Sequence, residues 1–311
     1  MKIFLIVMKI FLIWLSLCII WGTTWIFIKL GLNDLPPAGF AALRFTVACL
    51  ILLLIIGFKK ITLHPCWKIR SLIAFTGILQ FSFNYGLLFW GEKYIPSGLA
   101  AVLQSTIPIF GMILARIFVG ETINELKVIS VLLGVMGVML IFKEQLHLSG
   151  TMAFWGSSAI VIGAFSAALA SVLVKAKMKM VEPINLVFWQ MFIGHLPLWF
   201  ISFAFENAPT SFRWTSNAVI CILYLAITGS VLAFWLYYWL LRKIEVTKAM
   251  TIALVTPVIA IFVGSFFGEE IKAQAIWGSL MVLLSVSLLI FQPILFTKKS
   301  KSNEVQFHNS R

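Results

Sequence analysis

The sequence is poor in charged residues and in the side chains that enzymes use for chemistry. Only 11% of its 311 residues are charged, whereas soluble domains carry about 25%. It contains a single aspartate, four scattered histidines and four cysteines, and no Gly-rich loop of the kind that binds ATP. We therefore predict no catalytic residue, no metal site and no cofactor.

The cysteines do not form a disulfide framework by their spacing. Cys18, Cys49 and Cys221 lie inside apolar runs, and Cys66 lies in a short polar loop. Because none of them forms a paired motif, we interpret all four as packing residues.

Apolar residues, in contrast, make up 61% of the chain and form ten runs. Most runs reach or approach the roughly 20 residues that a helix needs to cross about 30 Å of hydrocarbon, and the fifth is short. We therefore predict an all-α integral membrane protein with ten transmembrane helices. The runs are 10–31, 38–58, 69–91, 97–118, 127–142, 151–174, 184–204, 219–241, 247–267 and 273–295.

The net charge of +13 is a topology signal and not a sign of nucleic-acid binding. With the N-terminus inside, the inner segments hold 18 of the 24 basic residues, the outer loops hold five, and Arg44 lies within span two. An excess of Lys and Arg marks the cytoplasmic side of a membrane protein. We predict cytoplasmic termini in a protein of the cytoplasmic membrane, with the lipid bilayer as a partner and no nucleic acid.

Several residues of the first half recur 144–150 positions later, which indicates an internal repeat. We predict repeats at 1–145 and 148–296, followed by a disordered polar tail at 297–311. Because five spans is an odd number, the second repeat would have the opposite orientation, and inverted repeats commonly enclose a binding site at their interface. The recurring pairs are Lys29 and Lys175, Pro37 and Pro183, Thr106 and Thr256, Pro108 and Pro257, Glu121 and Glu270, and Gly134 and Gly278.

These motifs, in this order, resemble the EamA family of the drug/metabolite transporter superfamily. The resemblance covers about residues 10–295. It implies ten helices in two inverted repeats, with a central cavity lined by the first, third and fourth helix of each half. The matching pieces are Trp21-Gly22-Thr23-Thr24, Lys29, Pro37, Leu43-Arg44-Phe45 and Pro108…Gly120-Glu121…Gly134, then Gly150…Ala164…Lys175 and Pro257…Gly268-Glu269…Gly278.

The second half departs from the family pattern at two positions. Ala167 stands where an aromatic residue would match Trp21, and Gln190 replaces the arginine that matches Arg44. The two ends of a pathway are therefore expected to differ chemically. Substrates across the family run from amino acids to drugs and sugar conjugates, so the resemblance implies a class of activity and not a ligand.

Aromatic and amide side chains within the spans are the candidate substrate-binding surface. Aromatic walls with a few hydrogen-bonding groups suit neutral, zwitterionic or cationic ligands. Tryptophan and tyrosine also anchor helices at membrane interfaces, and this alternative stays open for each aromatic residue. The candidate substrate-binding residues are Trp21, Thr24, Asn84, Tyr85, Gln104, Trp235, Tyr238 and Thr251.

Two prolines occupy matching places within spans four and nine. Pro108 and Pro257 each remove a backbone hydrogen bond and bend a helix, and the threonines at 106 and 256 could satisfy a freed carbonyl. The pair is either a hinge that switches access from one side to the other or a fixed kink that shapes the bundle.

An arginine and a histidine lie inside spans, well away from the span ends. Arg44 is either an anion-attracting group near the outer mouth or a structural tie to helix-end carbonyls or to Asp34. His195 is either a proton carrier or a hydrogen-bonded structural residue. All eleven acidic residues lie at or near span ends, which weakens a proton-exchange mechanism.

Residues near the ends of the repeats carry two further alternatives. Glu121 and Glu270 precede spans five and ten, where they could cap those helices or serve as a gate. Spans five and ten are rich in small residues, which either pack the bundle internally or form the face of a homodimer.

Together these features predict a secondary transporter that exports a small-molecule substrate, such as an amino acid, by alternating access. A multidrug efflux carrier is the alternative. A membrane-embedded enzyme has little support, because the histidines are scattered, and a non-transporting receptor is the remaining class.

Overall fold

The computed structural model describes residues 2–61, 69–146, 150–206, 209–266 and 272–308, and all regular structure within these ranges is helical. Short turns join long helices in these ranges, which we number α1 to α10. They are α1 (Lys2–Gly31), α2 (Pro37–Phe58), α3 (Arg70–Glu92), α4 (Ser97–Phe118), α5 (Glu125–Ile141), α6 (Thr151–Lys177), α7 (Pro183–Phe205), α8 (Ser216–Leu241), α9 (Val246–Met250 and Ile252–Phe266) and α10 (Ala273–His308).

Within the described ranges, nine of these helices are long and apolar enough to cross a membrane. The exception is α5, which has 17 residues and is about 26 Å long, somewhat less than the hydrocarbon core. The prediction of an all-α, multi-pass membrane protein is therefore confirmed, and the fifth helix is the short one that the sequence indicated.

Local sequence explains where several helices begin. Pro37 and Pro183 occupy first-turn positions of α2 and α7, where a missing N–H costs no hydrogen bond. The Asn124 side chain accepts a hydrogen bond from the Lys127 amide at the start of α5, and Thr215 caps α8 in the same way. These side chains satisfy amides that the first turn of a helix leaves free.

Five of the helices are interrupted along their length. α3 and α8 each contain a π-helical segment, Ile78–Asn84 and Ile227–Leu232. α4 is broken between Gln104 and Ile107, and α9 is broken at Thr251. α7 is broken at His195. The interruptions therefore fall in the third and fourth helix of each half and, in addition, in the second helix of the second half.

The first helix of each half packs against the third and fourth helices of the other half. α1 packs against α8 and α9, and correspondingly α6 packs against α3 and α4. α2 contacts its own counterpart α7, and α5 contacts its own counterpart α10. This arrangement places α1, α3, α4, α6, α8 and α9 around the centre of the bundle.

The small residues of α5 and α10 are used within the chain. A Cβ atom on Gly137 would lie 2.7 Å from the Gly278 carbonyl oxygen, and one on Gly278 would lie 2.5 Å from the Gly137 carbonyl oxygen. Such close backbone approach is how small residues join membrane helices. A homodimer through these helices stays a prediction, and it would have to use their other, exposed faces, which carry Met136 and Trp277.

The structure also bears on the predictions for the polar tail at 297–311 and for the cysteines. In the structure α10 continues to His308, so most of the segment 297–311 is helical where the composition predicts disorder. Helical hydrogen bonds are local, so such an extension needs no packing partner. Cys18, Cys49 and Cys221 are buried, as packing residues should be, whereas Cys66 lies outside the described residues.

Candidate functional site

A cavity of about 120 Å³ lies at the centre of the bundle, between the two halves. It is bounded by α1, α3 and α4 of the first half and by α6, α8 and α9 of the second. These are the helices that the family resemblance implied. The side chains in its wall include Trp21, Thr24, Trp25, Gln80, Asn84, Tyr85, Gln104, Ala167, Ser171, Phe234, Tyr237 and Thr256.

Two amide side chains of the cavity lie at the interruptions of the helices. Asn84 ends the π-helical segment of α3, and Gln104 ends the first piece of α4. The Gln104 amide nitrogen donates to the Asn84 side-chain oxygen at 3.2 Å. On the opposite wall, the Tyr237 hydroxyl donates to Ser171 at 3.1 Å. No charged side chain belongs to the cavity wall in the described part of the chain.

Trp21 joins the aromatic part of the wall to the π-helical segment of α8. Its indole nitrogen donates to the Gly229 carbonyl at 3.3 Å, and its ring meets those of Phe234 and Tyr237 edge-on, at 5.5 and 5.2 Å between centroids. Such edge-to-face contacts add stability beyond the apolar area they bury. A tryptophan of the first half therefore contacts aromatic and backbone groups of the second half.

Five of the eight predicted substrate-binding residues line this cavity, and three do not. Trp21, Thr24, Asn84, Tyr85 and Gln104 are in the wall. The remaining three, Trp235, Tyr238 and Thr251, have other surroundings.

Trp235 lies on the outer surface of α8, with 43% of its surface exposed. Tyr238 is buried behind the wall against Phe234 and Tyr237. Thr251 accepts a hydrogen bond from the Trp14 indole at 3.3 Å. In α8 the cavity side chains are Phe234 and Tyr237, which lie three residues apart on one face.

Sequence reasoning selected Trp235 by residue type and so missed its two neighbours in the wall. Buried and exposed positions alternate in α8 with helical period, since Phe234 and Tyr237 are buried and Trp235 is not. A periodicity argument anchored on a known buried position would have found them. Nothing in the sequence distinguishes Gln80 or Ser171.

Arg44 has the surroundings of a structural tie. It is 1% exposed, and it donates from Nε to the Ser230 hydroxyl at 2.8 Å and from Nη2 to the Gly229 carbonyl at 3.0 Å. Asp34, which the sequence offered as an acidic partner, pairs instead with Arg213 at 3.4 Å and accepts from Thr215. The tie therefore runs to α8 of the other half.

His195 lies at a break in α7, beside Pro197, and outside the cavity wall. It is buried, and its Nδ1 is 2.9 Å from the Met191 carbonyl oxygen. This geometry is that of the structural histidine among the two alternatives.

The two prolines are not equivalent in the structure. Pro108 lies in the first turn of the second piece of α4, directly after the break, whereas Pro257 lies inside α9, six residues beyond the break at Thr251. The Thr256 hydroxyl donates at 3.4 Å to the Ala253 carbonyl, which is the carbonyl that Pro257 leaves without an amide partner. The predicted hinge therefore has its break next to one proline only.

Glu121 joins the two halves at the start of α9. One carboxylate oxygen accepts from the Val246 amide at 2.5 Å, and the other accepts from the Thr247 hydroxyl at 3.0 Å. Of the two alternatives for Glu121, a cap of its own helix α5 or a gate, the structure does not show the first, because Asn124 caps that helix. The corresponding Glu270 lies outside the described residues.

Basic residues reinforce this contact. We call it the inner tie, because it lies on the side that the charge distribution predicts to be cytoplasmic, and define it as Glu121, Lys127, Lys175 and the segment 244–247. The Lys127 ammonium group lies 3.4 Å from Glu245, and Lys175 donates to the Ile244 carbonyl at 2.9 Å. The α4–α5 turn and α6 thus hold the α8–α9 turn in place.

Membrane-length helices that surround one cavity, with both halves in its wall, define the architecture of a multi-pass membrane transporter. The chain belongs to the EamA-like transporter family, because a statistical model of that family matches it twice, over residues 8–143 and 154–291. The recognition from sequence motifs is confirmed, as is the placement in the drug/metabolite transporter superfamily.

Relatives in other organisms match over nearly the full chain. The uncharacterized transporter YoaV of Bacillus subtilis is 29% identical over 87% of this chain and 92% of its own. The uncharacterized inner membrane transporter YedA of Escherichia coli K12 is 28% identical over 86% of both chains. A solved crystal structure with 15% identity has a TM-score of 0.77 over 90% of this chain and 96% of its own, which shows the fold alone.

Proposed function

We propose that this protein is a secondary transporter of the cytoplasmic membrane that moves small metabolites by alternating access. The observation that carries the proposal is the central cavity, to which the first, third and fourth helix of each half contribute. In this mechanism α5 also crosses the membrane, which gives ten spans, and both termini are cytoplasmic. Because each half then has an odd number of spans, the second half is inverted relative to the first.

The inner tie and the interrupted helices supply the moving parts. The tie holds the inner end of α9 against the α4–α5 turn, so breaking it frees α9 to move. The breaks in α4 and α9 lie beside the cavity, at Gln104 and Thr251. Bending at these breaks, with Pro108 and Pro257 shaping the second pieces, would open one side of the cavity while the other side closes.

The size of the cavity favours a small metabolite over a bulky drug. About 120 Å³ is well below the roughly 300–1,000 Å³ of sites that enclose drug-sized ligands. The wall offers the hydrogen-bonding amides of Asn84 and Gln104, together with aromatic faces. We propose an amino acid or a compound of similar size, moved outward; multidrug efflux is the less favoured alternative.

The direct experiment is substrate counterflow in liposomes that contain the purified protein. We expect at least one radiolabelled amino acid of a panel to accumulate inside liposomes that were preloaded with the same amino acid in unlabelled form. Trp21→Phe should lower the rate about tenfold, because it removes a hydrogen bond to Gly229 and part of the wall, together about 1.4 kcal/mol. Trp235→Phe is the matched control and should leave the rate unchanged, since Trp235 lies outside the cavity.

Two outcomes would count against this site. Absence of counterflow for every member of the panel would argue against transport of small metabolites. Equal losses in the two tryptophan variants would mean that transport does not depend on the central cavity.

A further inference from the structure

Arg44 carries a buried positive charge that no acidic side chain neutralises among the described residues. It lies seven residues into α2, about 10 Å from the start of the helix. Asp34 pairs with Arg213, and the Glu206 carboxylate accepts from the Ala38 and Gly39 amides of α2, so neither of these acids forms an ion pair with Arg44. An uncompensated charge at such depth is costly, so it calls for an explanation.

The guanidinium group is only partly satisfied by the protein. Its Nε and Nη2 atoms donate to Ser230 and Gly229, but Nη1 is buried and has no hydrogen-bond partner. A buried donor without a partner costs about 1–3 kcal/mol, and more when the group is charged. Nη1 can therefore receive an acceptor, for which the Tyr85 side chain beside Arg44 is the competing group of the protein.

Arg44 lies directly behind the cavity wall. The Gly229 carbonyl that accepts from Arg44 also accepts from the Trp21 indole. The guanidinium carbon lies 4.7 Å from the centre of the Tyr85 ring. Trp21 and Tyr85 both line the cavity, so Arg44 is one residue removed from it, and a ligand reaches the guanidinium group only if the Tyr85 ring moves.

The contact that Arg44 makes with α8 of the other half does not itself require a charge. Gln190, 146 positions after Arg44, is the corresponding residue of α7, and it is fully buried. Its neutral amide donates to the Thr76 hydroxyl of the other half at 2.6 Å. Since a neutral amide suffices for the corresponding contact of Gln190, packing between the halves explains a polar residue at position 44 but not a positively charged one.

We propose that Arg44 is the counter-charge for a carboxylate on the transported substrate. The ligand class is then a small organic acid or a zwitterion such as an amino acid, with its carboxylate on Nη1 of Arg44 and its apolar part against Phe234 and Tyr237. Arginine binds carboxylates with strong, charge-assisted hydrogen bonds. This inference rests on the proposed transport function and narrows it, because a cation would meet Arg44 with no acid in the described cavity wall.

The test compares three probes with the same five-carbon skeleton and different charge: isovalerate, isovaleramide and isopentylamine. Binding to the purified protein is measured by isothermal titration calorimetry at neutral pH. We expect the acid to bind at least about tenfold more tightly than the amide, the equivalent of one good charged hydrogen bond, and the amine to bind most weakly. Arg44→Gln should abolish the preference for the acid, and Arg44→Lys should retain part of it.

Ser230→Ala is the control for a merely structural role, because it removes one bond of the tie and keeps the charge. The preference for the acid should survive in this variant. If Arg44→Gln does not fold, the wild-type series, Arg44→Lys and Ser230→Ala still decide the question. The inference is overturned if the amide or the amine binds wild-type protein as tightly as the acid, or if a folded Arg44→Gln protein keeps the preference.

Counterflow separates this inference from the proposed function. Transport of amines or amides without acids would preserve the transporter and overturn the role of Arg44. Selective binding of the acid without counterflow of any solute would preserve the role of Arg44 and overturn transport.

Discussion

Replacement of Glu121 by glutamine should open the inner side of the protein and increase access to the cavity from the cytoplasm about tenfold. The carboxylate holds the start of α9 through the Val246 amide and the Thr247 hydroxyl. Glutamine keeps one acceptor and loses the charge, which removes about 1.5–3 kcal/mol from the closed state. A loss of about 1.4 kcal/mol already shifts the ratio of two states tenfold.

The measurement is the rate at which a membrane-impermeant thiol reagent, applied from the inner side, modifies Ser171→Cys in a background without native cysteines. Ser171 lines the cavity, so its labelling reports access. Glu125→Gln is the matched control, because Glu125 is also acidic, lies four residues away and is exposed. Equal labelling rates in the two variants would show that the inner tie does not control access.

Gly137→Ala should strongly lower the stability of the folded protein. The new methyl group would lie 2.7 Å from the Gly278 carbonyl oxygen, and since that atom belongs to the backbone, α5 and α10 have to separate. Overpacking of this kind costs about 1–3 kcal/mol, and sometimes more. We expect a clear fall in the thermal unfolding midpoint in detergent.

Gly57→Ala is the control, because nothing lies within 4 Å of its new methyl group. Alanine there should be neutral or stabilise by up to about 1 kcal/mol, since it restricts the unfolded chain. If Gly137→Ala instead reduced self-association without lowering the midpoint, the small residues would serve a dimer and not the α5–α10 contact.

Apolar runs and prolines were enough to predict most of the helices. The run 38–58 became Pro37–Phe58, and the run 97–118 became Ser97–Phe118. These boundaries are local, because a proline or a polar turn ends each run. The motifs also indicated the family and, through it, the six helices around the cavity.

The details of the site could not be predicted, because they depend on contacts between distant residues. Glu121 reaches Val246, 125 positions away, and nothing near Glu121 in the sequence indicates that partner. The same holds for Arg44 and Gly229. α9 is also broken at Thr251 and not at Pro257, although proline is the residue whose local chemistry interrupts helices.

The most direct test of alternating access between inverted halves is the orientation of two corresponding positions. Lys93 and Lys243 lie 150 residues apart, each is exposed, and each follows the end of the third helix of its half, α3 or α8. In a background without native cysteines, Lys93→Cys should react with an impermeant thiol reagent only from outside the cell, and Lys243→Cys only from inside. Reaction of both from the same side would contradict inverted repeats and, with them, one cavity that faces each compartment in turn.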